Sequence, residues 1–116
     1  MKRKFRLTRS SDIERVRRLG RSYPHPLVVL IAAPNQLDQV RVGVAAGRSV
    51  GTAVIRNRAK RLLREAARPL IPHLKPGWLI LLLARNPLAE ASFSETSTAL
   101  RTLLRQAHLF NDNHVS

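Results

Sequence analysis

The stretch WLILLLA, Trp78–Ala84, sets the strongest limit on what this chain can fold into. Seven apolar residues in a row have strand length and show no alternation, so both faces of the strand must be covered. A second run, LVVLIAA (Leu27–Ala33), lies between prolines in PHPLVVLIAAP and also reads as a strand. Neither run approaches the ~20 residues needed to span a bilayer. QVRVGVAAG alternates Val40, Val42 and Val44 with Arg41 and Gly43, which predicts a strand with one buried face. PNQLDQ between these last two reads as a hairpin-like connection.

Helix signals fill the remaining intervals. Ser11 with Glu14 has the spacing of a capping box and predicts a helix over Asp12–Leu19, ended by Gly20. Thr52 is placed to cap a long helix that Pro69 ends. IPHLKPG then reads as a turn and RNPLAEA as a loop. Ser92 and Glu95 repeat the capping-box spacing and open a helix to about His108. The order is helix, two or three strands, helix, strand, helix. This predicts one α+β domain over residues 1–116, a two-layer sandwich of a small, mostly antiparallel sheet with three helices. Residues 1–9 and 111–116 are expected to be loose.

Charge narrows the function. Lys and Arg number 21 against 7 Asp and Glu, a net charge of +14, while 44% of the residues are hydrophobic. The chain can bury a core, yet its self-repulsion calls for an anionic partner. Nucleic acid leads and an anionic membrane surface follows. Without cysteine there are no disulfides and no thiolate metal sites. The basic start is followed by the amphipathic SSDIERVRRLG, not by a signal-peptide core, so a cytoplasmic protein is expected.

The basic residues concentrate in RNRAKRLLREAAR, Arg56–Arg68. At ~100° per residue, Ile55, Ala59, Leu62, Leu63 and Ala66 share one face. Asn57, Lys60, Arg61, Arg64 and Arg68 share the opposite one, with Arg56 and Arg58 at the flanks. Like charges four apart, as in Lys60–Arg64–Arg68, destabilise a helix, and Glu65 can pair with only some of them. A plain solvated face explains this poorly. Seventeen of the 21 basic residues are arginine, whose planar fork matches phosphate oxygens. Gly47, Gly51 and Thr52 form a flexible approach to the helix N-terminus. That approach is either an ordinary strand-to-helix turn or a phosphate contact; no Gly-Lys-Ser/Thr follows, so it is not a P-loop.

Catalytic chemistry is sparse. His25, His73, His108 and His114 are isolated, the carboxylates are scattered, and no Ser or Thr has an evident base. Phe5, Tyr23, Trp78, Phe93 and Phe110 are too few and too dispersed for a base-stacking platform. The residues leave open a structural RNA binder of the ribosomal-protein type, a DNA-binding regulator and an autonomous nuclease. The DNA reading is weakened by a stripe made mostly of arginine, better suited to phosphate than to base edges.

GRSVGTAVIRNRAKRLLREAAR, Gly47–Arg68, closely resembles the signature of the bacterial ribonuclease P protein component. The matching residues are Gly51, Ala53, Val54, Arg56, Asn57, Arg58, Lys60, Arg61 and Arg64. RLTRSSDIERVRRLG, VRVGVAAGRSVG and LILLLARNP resemble the family's first helix, central strand with loop, and last strand. The resemblance implies a fold like the second domain of ribosomal protein S5, with a left-handed βαβ crossover. It implies the accessory protein of a ribozyme that removes the 5′ leader of precursor tRNA. The RNA subunit carries the endonucleolytic hydrolysis with Mg²⁺, so the protein itself needs no catalytic residue, no metal ligand and no membrane or DNA. Arg48, Arg56, Asn57, Arg58, Lys60, Arg61, Arg64 and Arg68 would face ribonuclease P RNA. A cleft between the first helix and the sheet would hold the leader. The family's aromatic positions there map to Ile13, Arg17 and Ile31, and Arg85 lies at the strand exit. Of the family's basic loop pair, Arg48 keeps one position and Ser49 replaces the other.

Overall fold

The computed structural model describes residues 5–111; the predicted looseness of residues 1–4 and 112–116 lies outside the described residues. Three helices, α1 (Ser10–Leu19), α2 (Ala53–Ala67) and α3 (Phe93–Gln106), pack on four strands, β1 (Arg21–Tyr23), β2 (Val28–Pro34), β3 (Arg41–Ala46) and β4 (Trp78–Ala84). The sheet order is β1-β2-β4-β3. β1–β2 and β2–β4 are antiparallel, and β3–β4 is parallel. The fold is α+β with a mostly antiparallel sheet, as expected.

The most apolar strand takes the central place. β4 pairs with β2 from Val28↔Ala84 to Pro34↔Trp78, and with β3 from Arg41↔Leu79 to Ala46↔Ala84. The hairpin expected between the second and third strands is therefore absent: β4 separates them. PNQLDQ crosses the end of β4, and Asn35 N–H donates to the Gly77 carbonyl (2.9 Å). The reason is burial. A strand apolar on both faces loses most by standing at an edge, whereas β3 alternates and tolerates one.

Two cores result. On one face Val28, Leu30, Val42, Ile80 and Leu82 pack with Ala59, Leu63 and Ala66 of α2 and Leu100 and Leu103 of α3. This is the expected two-layer sandwich. On the other face Leu79, Leu81 and Ala33 pack with Val16 of α1 and with Leu7. α1 thus adds a partial third layer, which is what the unbroken apolarity of β4 requires.

The second core corrects the reading of the N-terminal residues. Leu7 is only 4% exposed, and its N–H donates to the Val42 carbonyl (2.9 Å). Residues 5–9 are docked along the β3 edge, not loose. Gly43 makes the docking possible, since a Cβ there would lie 2.9 Å from the Leu7 carbonyl oxygen. On the second face of β3, Gly43 is buried for the same reason, and Arg41 and Ala45 are half-buried. Once Leu7 is fixed, the chain enters α1 two residues early. Arg9, not Ser11, occupies the cap position, with no side-chain cap bond. Its carbonyl accepts from the Asp12 and Ile13 amides (3.1 and 3.0 Å).

Gly20 ends α1 as expected, but by packing and not by a left-handed turn. A Cβ there would strike the Val16 carbonyl and lie 2.6 Å from Ile31 Cγ2. Gly20→Ala is expected to cost about 1–3 kcal/mol of stability through overpacking. A lower urea midpoint at unchanged slope would show it.

The other termini follow the sequence more closely. Thr52 Oγ1 accepts from the Ile55 amide (3.4 Å). Pro69 ends the α-helical ladder, but residues Arg68–His73 continue as a 3₁₀ helix where a turn was expected. The Ser92–Glu95 capping box forms in both directions (3.0 and 2.9 Å). The Ser92 backbone amide and hydroxyl hold the Glu95 carboxyl below its usual range. That contribution is present above the unfolded-state pKa and is lost as pH falls through the folded one. At the far end, Asn111 N–H donates to the His73 carbonyl (2.8 Å) and Leu109 is buried, so Asn111 is tied down where it was expected to be loose.

Candidate nucleic-acid interface

α2 follows the parallel strand β3 and returns the chain to β4, so its N-terminus stands at the ends of both strands. A 3₁₀ turn, Arg48–Val50, joins β3 to Gly51. Gly51 has φ 153°, and a Cβ there would lie 2.8 Å from Ile55 Cγ2. Only glycine fits this junction, which sets the direction of α2 relative to Arg48.

Packing refines the wheel drawn from the sequence. Ala59, Leu63, Ala66 and Ala67 are buried, and Ile55 and Leu62 are half-buried along one flank. Arg56, Lys60 and Arg64 are half-buried along the other flank, not fully outward. Asn57, Arg58, Arg61, Glu65 and Arg68 are the most exposed. The basic groups thus wrap the helix from flank to crest. Among the described residues one ion pair forms, Arg68 Nη2 to Glu65 Oε1 at 2.8 Å. An exposed pair of this kind contributes little, and the other cations of α2 form no ion pair among the described residues. Arg56 Nε is buried without a hydrogen-bond partner. Val54, 70% exposed, stands in the first turn of the same helix, an apolar contact in a cationic surround.

The residues assigned to a leader cleft are brought together in part. Ile13 and Ile31 join Leu83 at the margin of the second core. Ile31 pairs with Leu81 and Val29 with Leu83, so these side chains share the α1 face of the sheet. Arg17 is exposed on the same flank of α1 as Ile13. Arg85 continues the same parity past the end of β4. Its N–H donates to the Leu27 carbonyl (3.0 Å) and its Nη1 to the His25 carbonyl (3.3 Å). A groove of about 550 Å³ lined by Ser49, Ala84, Arg85, Asn86 and Pro87 connects this strand exit with the turn that carries Arg48. The strand exit and the Arg48–Val50 turn thus border one groove at the ends of β3 and β4.

The sequence reading missed several of these residues. Val29 and Leu83 form the floor, and Asn86 and Ser49 line the groove. Val29 and Leu83 carry a signal in strand parity, whereas Asn86 and Ser49 lie in 3₁₀ turns and carry none. Arg41 was also missed: it shares the α1 face of β3, and its Nε is buried without a partner. Among the described residues no three His, Asp or Glu side chains gather to hold a metal ion. Among the described residues, too, no helix is long and apolar enough to cross a membrane.

Comparisons with known proteins identify the family. The family model described as Ribonuclease P matches residues 1–108. The ribonuclease P protein component of Herpetosiphon aurantiacus is 41% identical over 112 residues, covering 97% of this chain and 91% of that protein. That of Chloroflexus aggregans is 44% identical over 110 residues, covering 94% and 82%. Among solved structures, the RNase P protein of Staphylococcus aureus superposes with a TM-score of 0.82 at 27% identity, covering 92% of this chain and 98% of that one. The Thermotoga maritima RNase P protein, solved with 1-(4-fluorophenyl)-2-thiourea, gives 0.78 at 28% identity, covering 87% and 98%. Sequence, fold and the basic helix agree, and the chain belongs to the ribonuclease P protein component family, the protein subunits of an endoribonuclease.

Proposed function

We propose that the chain acts as one RNA-binding domain that docks on ribonuclease P RNA through α2 and holds the 5′ leader of precursor tRNA in the cleft beside α1. Arg48, Arg56, Asn57, Arg58, Lys60, Arg61, Arg64 and Arg68 contact the RNA subunit, with Arg68 shared with Glu65. Ile13, Ile31 and the strand floor contact leader sugars and base edges, while Arg17 and Arg85 meet its phosphates. The observation that carries this reading is the cationic stripe of α2: Arg58, Arg61 and Arg68 are exposed, Arg56, Lys60 and Arg64 lie half-buried along its flank, and among the described residues only Arg68 is engaged in an ion pair. Hydrolysis belongs to the RNA, with Mg²⁺ bound there; the protein supplies cations and position, not a nucleophile or base. The complex works in the cytoplasm.

The test is cleavage of a precursor tRNA by ribonuclease P RNA at low Mg²⁺, with and without the protein. Correct 5′ maturation only when protein is added is the expected result, because fixed cations replace part of the ion atmosphere that two RNAs need to approach. Failure to stimulate, with folded protein and an RNA competent at high Mg²⁺, would return the chain to general RNA binding of the ribosomal-protein type.

A further inference from the structure

We propose that the outer crest of α3 is a second row of phosphate contacts beside α2, so that ribonuclease P RNA lies across both helices and not along α2 alone. α2 follows β3 and α3 follows β4, and these strands are parallel, so both helices start from the same end of the sheet. Both bury their apolar faces in the same core, through Ala59, Leu63 and Ala66 on α2 and Leu100 and Leu103 on α3. They are direct neighbours in one layer, and packed helices lie about 8–10 Å apart. A folded RNA is broader than that spacing, so one seated on the crest of α2 overlies α3.

Periodicity selects the α3 crest. Thr96, Ala99, Leu100, Leu103 and Leu104 are buried. At ~100° per residue, Arg105 points about 180° from Thr96, and Ser94, Thr98 and Arg101 fall within about 40° of it. All four are exposed. The crest thus carries two guanidinium forks and two hydroxyls, all donors to phosphate oxygens, and no carboxylate. The one acid of the helix, Glu95, lies about 80° round from Arg105, in the first turn. Its carboxylate is already engaged, accepting from the Ser92 amide (2.9 Å). Glu90 stands before the helix, at the end away from Arg105. On α2 the one acid, Glu65, is paired with Arg68. Across the two helices Arg58, Arg61, Arg101 and Arg105 are exposed, and none has an ion-pair or hydrogen-bond partner for its side chain among the described residues. Arg101 and Arg105 are four apart, a like-charge pair that weakens a helix. Arg105 stands in the last turn and complements the helix dipole. Arg101 lies more than a turn from the end, so the dipole does not account for it. Bound phosphates would remove the repulsion.

The inference rests on the reading of α2 as an RNA dock, and three paired substitutions separate the two. Each pair removes two positive charges: Arg101→Gln with Arg105→Gln on α3, Arg58→Gln with Arg61→Gln on α2, and Arg15→Gln with Arg18→Gln on α1. The α1 pair is exposed on the helix across the sheet and controls for net charge. Binding of ribonuclease P RNA is titrated at several salt concentrations, with a melting curve to show that each variant is folded at the titration temperature. The α3 pair and the α2 pair are each expected to make the log–log salt slope shallower by about 1.4–1.8, at 0.7–0.9 per phosphate, while the α1 pair leaves it unchanged. Between 50 and 200 mM salt, the affinity of the α3 variant then falls by a factor roughly 7 to 12 times smaller than the parent's. A slope changed by the α2 pair alone would overturn the proposal and leave the α2 dock standing. A slope changed by the α3 pair alone would uphold the α3 row and overturn the α2 reading; no change from any pair would overturn both. Equal flattening by all three pairs would mean that net charge alone is felt, and would overturn the proposal as well. Loss of anionic-vesicle binding in the α3 variant, with an unchanged RNA slope, would assign the crest to a membrane surface and overturn it too.

Discussion

Reversing Arg61 and Arg64 together, Arg61→Glu with Arg64→Glu, is expected to weaken binding of ribonuclease P RNA by at least about 100-fold. Each charge-assisted hydrogen bond to phosphate contributes about 1.5–3 kcal/mol, and ~1.4 kcal/mol is a factor of ten. Two lost contacts give about 3–6 kcal/mol before any repulsion from the new carboxylates. The log–log salt slope should also flatten by about 1.4–1.8, two contacts at 0.7–0.9 each. The fold should survive: Arg61 is exposed and Arg64 half-buried, and neither forms an ion pair among the described residues. A carboxylate at position 64 would stand one turn from both Lys60 and Arg68, relieving a like-charge series. Fluorescence titration at several salt concentrations, with a melting curve for each variant, measures both sides. Undiminished RNA affinity in a folded double variant would remove α2 from the interface.

Leu100→Ala is expected to do the reverse, lowering stability by about 3–5 kcal/mol with no direct effect on the RNA surface. Leu100 is fully buried on α3, 0% exposed. It already borders an apolar cavity of about 10 Å³ with Val42, Ala67, Leu70, Leu74, Ile80, Leu82 and Leu104. Truncation enlarges a space whose walls come from a sheet and two helices that hold one another apart, so collapse is limited. A domain of this size has a total stability of about 5–15 kcal/mol, so the loss is a large share of it. A urea titration would show a much lower midpoint with the slope retained. A cost below about 1 kcal/mol would mean that the α2–α3 layer repacks freely. At temperatures where the variant is still folded, its RNA affinity should match the parent's, which separates core from interface.

Local signals were legible where one short segment decides its own conformation. The Ser92–Glu95 box, the Thr52 cap and the break at Pro69 depend on groups within four residues of one another, and the structure keeps them. The Ser11 box failed because a long-range contact, Leu7 on Gly43, set the phase of α1 first. The basic helix was legible for the same local reason: charge and periodicity lie within one stretch. Its flank and crest were not, because the tilt of a helix on a sheet depends on both partners.

The sequence by itself determined that β4 is buried on both faces, that a helix of alternating apolar and cationic character follows Gly51, and that the signature Gly47–Arg68 places the chain among ribonuclease P proteins. Those are properties of residue type and spacing. The tertiary structure alone decided that β4 separates β2 from β3, that Leu7 closes the second core, and that Ile13, Ile31 and Leu83 meet at its margin. The physical reason is that strand order and register are chosen by total buried area over the whole sheet. No segment encodes that sum.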